Sequence, residues 1–204
     1  MSLLDAWVSD FDALVAVDTD GARIDGSRFP ASKLLPMPHL NAVLAIRGQA
    51  AFLQILFLRC IGSGFDGFDQ MADALPIMIE EAHENLLAYD QLIARDCRFG
   101  HELVAVGWSH RRERMLGRQF TAGEDGKFIE RDLGMHIAPW HSSIPRIEPV
   151  RKNVDRIATA QVDWMQNTFP DAACGGQLLT AHVKRDGIDL RLNKVFEAKK
   201  RAAA

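Results

Sequence analysis

The chain has 204 residues, of which 48% are hydrophobic and 25% are charged, and its formal net charge at pH 7 is −3. This composition is typical of a globular protein and excludes the low hydrophobicity and high charge of disordered chains. With this mildly acidic net charge, the chain lacks the excess of positive charge that is typical of nucleic-acid-binding proteins. The longest apolar run, residues 50–58, contains Gln54 and is too short to span a bilayer. We therefore expect neither a nucleic-acid nor a membrane partner.

The three cysteines, Cys60, Cys97 and Cys174, are far apart and have no C-x-x-C spacing. This pattern favours buried thiols in a reducing compartment over disulfides or a zinc site. The histidines also lack metal-ligand spacing, since His136 and His141 are five residues apart and no H-E-x-x-H motif occurs. The first residues have no basic segment followed by a long apolar run. We expect a cytoplasmic protein without a metal or a cofactor.

Two apolar runs in the first quarter of the chain predict buried strands, because they are short and rich in valine and leucine. The first ends at Asp18 and the second at Arg47-Gly48. The segment between them holds glycines and polar residues that favour a loop or an irregular hairpin. Pro36 and Pro38 exclude a helix just before the second strand. The two strands and the intervening segment are residues 13–17, 41–46 and 19–33.

Three segments predict helices, namely residues 50–60, 68–94 and 152–168. The first is so densely apolar that we expect it to be buried nearly all round. The second has apolar residues at three- and four-residue spacing, and Pro76 inside it predicts a kink or a break. Pro170 lies just beyond the third, as expected after a helix end.

The second half of the chain predicts six strands. They are residues 102–108, 115–122, 128–133, 136–140, 177–184 and 188–195. Turn sequences join two pairs of them, at residues 123–126 and at Asp186-Gly187. Blocks of strands therefore alternate with blocks of helices, which indicates an α+β fold with antiparallel sheets covered by helices on both sides. We expect one domain over residues 1–197 and a frayed tail over residues 198–204.

Several stretches carry a resemblance to a known family. The opening ALVAVDTDGARIDGSRFPASKLLPMPHLNAVLAIRG runs from a strand ending in Asp, through a loop and a Lys, to a strand ending in a Gly turn. HELVAVGW, FTAGEDGKFIE and HIAPW follow in mid-chain, and GGQLLTAHVKRDGIDLRLNKVF closes the chain. In order and spacing these stretches resemble N-terminal-nucleophile hydrolases, above all proteasome β subunits and the related subunit of a bacterial ATP-dependent protease. The resemblance implies a four-layer αββα sandwich of two antiparallel sheets between helix layers. It also implies a homo-oligomer, and it suggests an ATP-dependent unfoldase of unknown identity as a further partner.

The same resemblance implies a catalytic site. In that family the nucleophile is the side chain of the first residue of the mature chain, and its own α-amino group or a nearby water serves as the general base. Ser2 matches this position once Met1 is removed, and Asp18 and Lys33 match the orienting aspartate and the charge-stabilising lysine. Gly48 lies where the family forms its oxyanion hole. Each residue also has a purely structural interpretation. Ser2 would be a frayed terminal residue, Asp18 a turn cap, Lys33 a surface lysine and Gly48 a glycine at the entry to a helix.

Two functions follow as alternatives. The first is a peptidase or amidohydrolase of the threonine or serine type. The second is a catalytically inactive subunit of the same fold that serves in assembly. Three departures from the family pattern count against the first function: Ser2 stands where the protease branch has threonine, a retained Met1 would leave no hydroxyl at the terminus, and the segment HIAPWHSS stands where the family has a Ser-Gly-Gly turn. The missing turn favours the second function.

Overall fold

The structure is a computed structural model that describes residues 2–23, 25–89, 101–123, 127–170 and 172–196. Several predicted features lie outside these residues. They are Met1, the last residues of the predicted 68–94 helix, Cys97, residues 124–126 of the predicted turn and the tail over residues 198–204.

Within the described residues, ten strands form two five-stranded antiparallel sheets. The strands of sheet 1 are, in spatial order, β10 (Met135–Ala138), β1 (Leu4–Val8), β2 (Asp12–Asp18), β11 (Gln177–Lys184) and β12 (Gly187–Val195). Those of sheet 2 are β5 (Leu34–Met37), β6 (Ala42–Arg47), β7 (Glu102–Ser109), β8 (Arg114–Ala122) and β9 (Phe128–Asp132). A separate small hairpin pairs β3 (Asp20–Ala22) with β4 (Arg28–Pro30).

Among the residues described, three α-helices cover the sheets: α1 (Ala50–Gly62), α2 (Phe68–Tyr89) and α3 (Val154–Thr168). The buried apolar residues fall into three clusters that separate four layers. One cluster joins α1 and α2 to sheet 2, for example through Phe52 and Phe120. The second lies between the two sheets, and the third joins sheet 1 to α3 through Leu14 and Met165. The order helix, sheet, sheet, helix is the predicted αββα sandwich.

Two strands occur where the sequence pattern predicts none. Strand β1 pairs with β2 on one side and β10 on the other, so it is a central strand of sheet 1. Strand β5 contains Pro36 and lies at the edge of sheet 2, where a residue without an N–H can be accommodated. Both strands are short, and pairing with neighbouring strands rather than local periodicity stabilises them.

The sequence predicts a kink or a break at Pro76, and the structure shows that helix α2 is not broken there. Leu75 and Ile79 on either side of the proline are both fully buried against sheet 2. Burial of two such side chains contributes about 3–6 kcal/mol, which is enough to offset the roughly 3 kcal/mol cost of an internal proline. None of the described helices is long and apolar enough to cross a bilayer.

The antiparallel registers bring distant parts of the chain together at one end of the sandwich. Leu4 pairs with Val17, so the residues before β1 lie beside the last residue of β2. Leu178 pairs with Asp18, which brings the start of β11 to the same place. In sheet 2, the Ile46 N–H donates to the Lys33 carbonyl at 2.9 Å, so the ends of β6 and the β4–β5 connection also meet.

Candidate functional site

Asp18, the last residue of β2, is fully buried and is the centre of this cluster. Its Oδ1 accepts the Leu3 N–H at 2.7 Å. Its Oδ2 accepts the Lys33 ammonium at 2.8 Å, the Gly175 N–H at 3.1 Å and the Asp20 N–H at 3.3 Å. A buried carboxylate is stable in its charged form only with such partners. Asp18 thus ties together four segments that are remote in sequence.

Lys33 lies in the connection between β4 and β5 and is 4% exposed, so it is not the surface lysine of the structural interpretation. Its Nζ donates to Asp18 Oδ2 at 2.8 Å and to the Asp20 carbonyl at 2.5 Å. A lysine is removed from water only at a large cost, and a direct carboxylate partner offsets most of it. The structure therefore brings the predicted Asp18 and Lys33 together as a buried ion pair.

Ser2 is 6% exposed, and it is not a frayed residue. Its carbonyl oxygen accepts a hydrogen bond from Nε of Arg47 at 2.9 Å. The following N–H, that of Leu3, donates to Asp18 Oδ1. Ser2 is therefore joined by one peptide unit to the Asp18–Lys33 pair.

Gly48 connects the end of β6 to the start of α1 and has a φ of +140°, which side-chain-bearing residues rarely adopt. A Cβ at this position would also overlap the ring of His101. The glycine precedes the N-terminal end of a helix, where backbone N–H groups and the helix dipole favour negative charge. Gly48 is linked to the cluster through its sequence neighbour Arg47, whose side chain contacts Ser2.

The cluster also contains residues that are not predicted from the sequence, namely Arg47, Glu102 and Gly175. Arg47 contacts Ser2 and forms an ion pair with Glu102, with Nη1 to Oε2 at 3.0 Å. Gly175 donates its N–H to Asp18, 157 positions away in sequence. The Gly175-Gly176 pair is visible in the sequence, but there it predicts only the start of a hairpin.

Cys174 precedes Gly175 and is 3% exposed. Burial, reinforced by the negative charge of Asp18, raises the pKa of the Cys174 thiol to about 12. The thiolate is the nucleophilic form of cysteine, so this side chain is inert at neutral pH. Among the residues that the structure describes, no group of three or more His, Cys, Asp or Glu side chains could hold a metal ion.

An apolar cavity of about 240 Å³ lies between the β4–β5 segment and α1. Its lining includes Phe29, Ala31 and Leu35, which flank Lys33 in sequence, and Leu53 and Phe57 of α1. Larger cavities, of about 440 and 430 Å³, lie away from the cluster, the first beside β8 and the second beside Trp140. The 240 Å³ cavity is therefore lined by residues on both sides of Lys33 in the sequence.

No protein-family model and no curated protein matches this sequence. Solved structures with a similar fold include Anbu from Hyphomicrobium sp. strain MC1, as a Gly-1 mutant, with a TM-score of 0.63 and 16% identity over 98% of this chain and 90% of that one. They also include Anbu, described as an ancestral β subunit, from Yersinia bercovieri, with a TM-score of 0.61 and 15% identity over 95% and 88% of the two chains. At this identity the likeness concerns the fold alone. The chain therefore has an α+β, proteasome-like fold of two antiparallel sheets between helices.

Proposed function

We propose that this protein is a hydrolase of the N-terminal-nucleophile type, a serine peptidase or amidohydrolase, in which Ser2 becomes the nucleophile after removal of Met1. Initiator methionine is commonly removed before a residue as small as serine. Ser2 then carries both the attacking hydroxyl and a free α-amino group. The intrinsic pKa of an α-amino group lies near neutrality, so it can act as the general base at physiological pH.

The reaction proceeds in two balanced steps. Ser2 Oγ attacks the amide carbon while the α-amino group takes the hydroxyl proton, and the C–N bond then breaks as that proton passes to the leaving nitrogen. Water hydrolyses the resulting ester, which releases the carboxylic acid and restores Ser2. Lys33 favours the deprotonated hydroxyl, Asp18 orients Lys33, and the Gly48 N–H stabilises the oxyanion.

The observation that carries this proposal is the buried ion pair between Asp18 and Lys33, one peptide unit from Ser2. An internal ion pair is weak evidence for a stabilising role, because its desolvation offsets much of its attraction. Its position beside a hydroxyl residue is better explained by chemistry, since an ammonium group depresses the pKa of a neighbouring nucleophile.

The test is covalent capture of Ser2 in the untagged protein. Intact mass first establishes whether Ser2 is the first residue. A peptide epoxyketone, which reacts with the hydroxyl and the amine of a terminal residue together, is then added, with leucine next to the epoxyketone to suit the apolar cavity near Lys33. We expect one adduct per chain on Ser2, no adduct in Ser2→Ala, and labelling at least 100-fold slower in Lys33→Ala.

Ser63→Ala is the matched control, because Ser63 is an exposed serine just after α1 and outside the cluster. It should label at the wild-type rate. Retention of Met1 in the protein made in its native form, or equal labelling of Ser2→Ala and wild type, would contradict the proposal.

The second candidate is a catalytically inactive subunit of the same fold. The observation that favours it is the burial of Ser2 at 6% exposure, since a nucleophile must be reached by its substrate. In this case the Asp18–Lys33 pair only closes one end of the sandwich. An intact protein with Met1 retained and full stability supports this second candidate.

Under either candidate we propose that the chain forms a homo-oligomer through its α1 and α2 layer. Leu58 and Ile61 of α1 and Ile77 of α2 are 69%, 52% and 65% exposed, which is unusual for large apolar side chains on one layer. Light scattering coupled to size exclusion tests this directly. Leu58→Asp together with Ile77→Asp should lower the measured mass, whereas Phe11→Asp, at an exposed residue between β1 and β2, should not.

A further inference from the structure

Arg47, the last residue of β6, is the residue that links Ser2 to sheet 2. Its Nε donates to the Ser2 carbonyl oxygen at 2.9 Å, and its Nη1 contacts Glu102 Oε2 at 3.0 Å. Arg47 and Glu102 are also directly paired in the register of β6 and β7. The two contacts use different nitrogens of one planar guanidinium, so the carboxylate fixes the direction in which Nε points.

The same peptide unit is held at both of its polar atoms. Arg47 binds the carbonyl oxygen of Ser2, and Asp18 Oδ1 accepts the N–H of Leu3 at 2.7 Å. The six atoms of a peptide unit lie in one plane, so holding the oxygen and the nitrogen also holds the Cα of Ser2. Rotation about Cα–C then places the amino group, and χ1 alone remains to place the hydroxyl. The clamp therefore fixes the Cα of Ser2, so that only these two rotations remain to place the amino group and the hydroxyl.

Glu102 is itself held in place by neighbours from both sheets. Burial alone would raise the pKa of Glu102, but contact with His136 and the charge of Arg47 hold it below its ordinary value. His136 of β10 lies with Nε2 at 3.6 Å from Glu102 Oε2, and its Nδ1 is 3.1 Å from Nε2 of Gln119 in β8. The chain of contacts from Gln119 to Ser2 thus spans sheets 1 and 2 with side chains that are mostly buried.

We propose that Arg47 is a positioning residue of the site, oriented by Glu102, which holds the Ser2–Leu3 peptide so that the Ser2 amine and hydroxyl face Lys33. The inference rests on the proposed function for its catalytic consequence, but the clamp itself is a property of the fold. Arg47 touches no substrate in this scheme, so its loss should slow chemistry more than it weakens binding.

The experiment compares wild type with Arg47→Met and Arg47→Lys by two readouts. The first is epoxyketone labelling over a range of concentrations, which separates the limiting rate of inactivation from the half-saturating concentration. We expect Arg47→Met to lower the limiting rate about 10- to 100-fold while the half-saturating concentration changes less than about threefold. Arg47→Lys keeps the positive charge but loses the planar guanidinium that contacts Ser2 and Glu102 through two different nitrogens. It should recover part of the rate.

The second readout does not depend on activity. Each protein is incubated with a broad-specificity aminopeptidase, and trimming of the first residues is followed by intact mass. A clamped Ser2–Leu3 peptide should resist trimming in wild type and be trimmed at least tenfold faster in Arg47→Met. Arg118→Met is the matched control, because Arg118 pairs with Glu130 and Asp132 of β9 and should affect neither readout. Thermal melting verifies that each variant is folded.

The outcomes separate the two proposals. If wild type is labelled at Ser2 and Arg47→Met is labelled at the same limiting rate, the positioning inference is overturned and the proposed function stands. If wild type is not labelled, the proposed function fails, and aminopeptidase trimming alone tests the positioning inference. In that case, an Arg47→Met protein that resists trimming as well as wild type overturns the inference. Slower labelling without faster trimming also overturns it, because the peptide would then be held without Arg47.

Discussion

Asp18 and Lys33 form a buried ion pair in which both side chains are almost completely removed from water. The carboxylate accepts three backbone N–H groups in addition to the ammonium. These bonds satisfy the charge of Asp18 but also make it dependent on Lys33, since a buried charge that loses its counter-ion keeps its full desolvation cost. The pair is thus a place where one substitution affects both stability and the proposed chemistry.

Lys33→Met is predicted to lower the free energy of unfolding by about 3–5 kcal/mol, because it leaves Asp18 buried without a cation. Urea unfolding followed by circular dichroism measures the change. Arg111→Met breaks an ion pair with Asp73 in which both side chains are about 60% exposed, and should cost less than about 1 kcal/mol. Equal costs for the two variants would contradict the assignment of Lys33 to a buried pair.

Gly48→Ala is predicted to cost about 1–3 kcal/mol of stability, since alanine is strained at the φ of +140° and its methyl group meets His101. Labelling of Ser2 should slow as well, because the turn carries the proposed oxyanion donor. Gly62→Ala, at the end of α1 and facing open space, is the control and should be neutral or slightly stabilising. Thermal melting and the labelling rate check both expectations.

At the level of elements, the contact between β1 and α3 includes a buried carboxyl group. Asp5 of β1 is fully buried, and its Oδ1 accepts a hydrogen bond from Gln161 Nε2 of α3 at 2.8 Å. Burial raises the pKa of Asp5 from 3.8 to about 8, although the bonds from Gln161 and the Ala138 backbone act in the opposite direction. Asp5 is therefore protonated in the folded protein at neutral pH and ionised in the unfolded chain.

This difference makes a pH-dependent prediction. Between pH 4 and 8 the folded state holds a proton that the unfolded state has released, so the free energy of unfolding falls as pH rises through this window. Asp5→Asn removes that dependence and should be more stable than wild type at pH 7.5 by on the order of a few kcal/mol, with the advantage vanishing near pH 4. Urea titrations at several pH values measure it. Asp155→Asn, at an exposed position of α3, should leave the pH dependence unchanged.

At the level of the whole molecule, three apolar clusters alternate with the layers of the sandwich. Each sheet contributes one face to the central cluster and the other to a helix layer, so neither sheet can lose its helices without exposing a face. The strands of sheet 1 also come from both ends of the chain, since β1 and β2 pair with β10 and β11. This interleaving supports the proposal that residues 1–197 form one cooperative domain.

Substitutions in the three clusters should therefore shift one common unfolding transition. Leu56→Ala, Leu4→Ala and Met165→Ala each remove a fully buried side chain from a different cluster and should each cost about 2–5 kcal/mol with an unchanged denaturant slope. Phe11→Ala, at an exposed residue between β1 and β2, should cost less than about 0.5 kcal/mol. Tryptophan fluorescence and circular dichroism should report the same midpoint, and separate midpoints would indicate independent domains.

Local patterns in the sequence were sufficient for most helices and strands, because apolar spacing reports which face of an element is buried. They also placed Asp18 at a strand end, whereas Asp18 and Lys33 became candidate site residues through the family resemblance. They did not reveal β1 or β5, which are short and depend on their neighbours for pairing. Pro76 likewise predicted a kink or a break, and burial of Leu75 and Ile79 favours a helix that is not broken there.

The sequence by itself determined the α+β class, the order of the elements and, through a family resemblance, the identity of four candidate residues. Only the tertiary structure decided that Lys33 is buried against Asp18, that Arg47 binds the Ser2 carbonyl, and that Gly175 donates to Asp18 from the far end of the chain. The physical reason is that periodicity is a property of neighbouring residues. The partners of a buried charge are instead set by which strand ends the antiparallel registers bring together, and no local pattern records that.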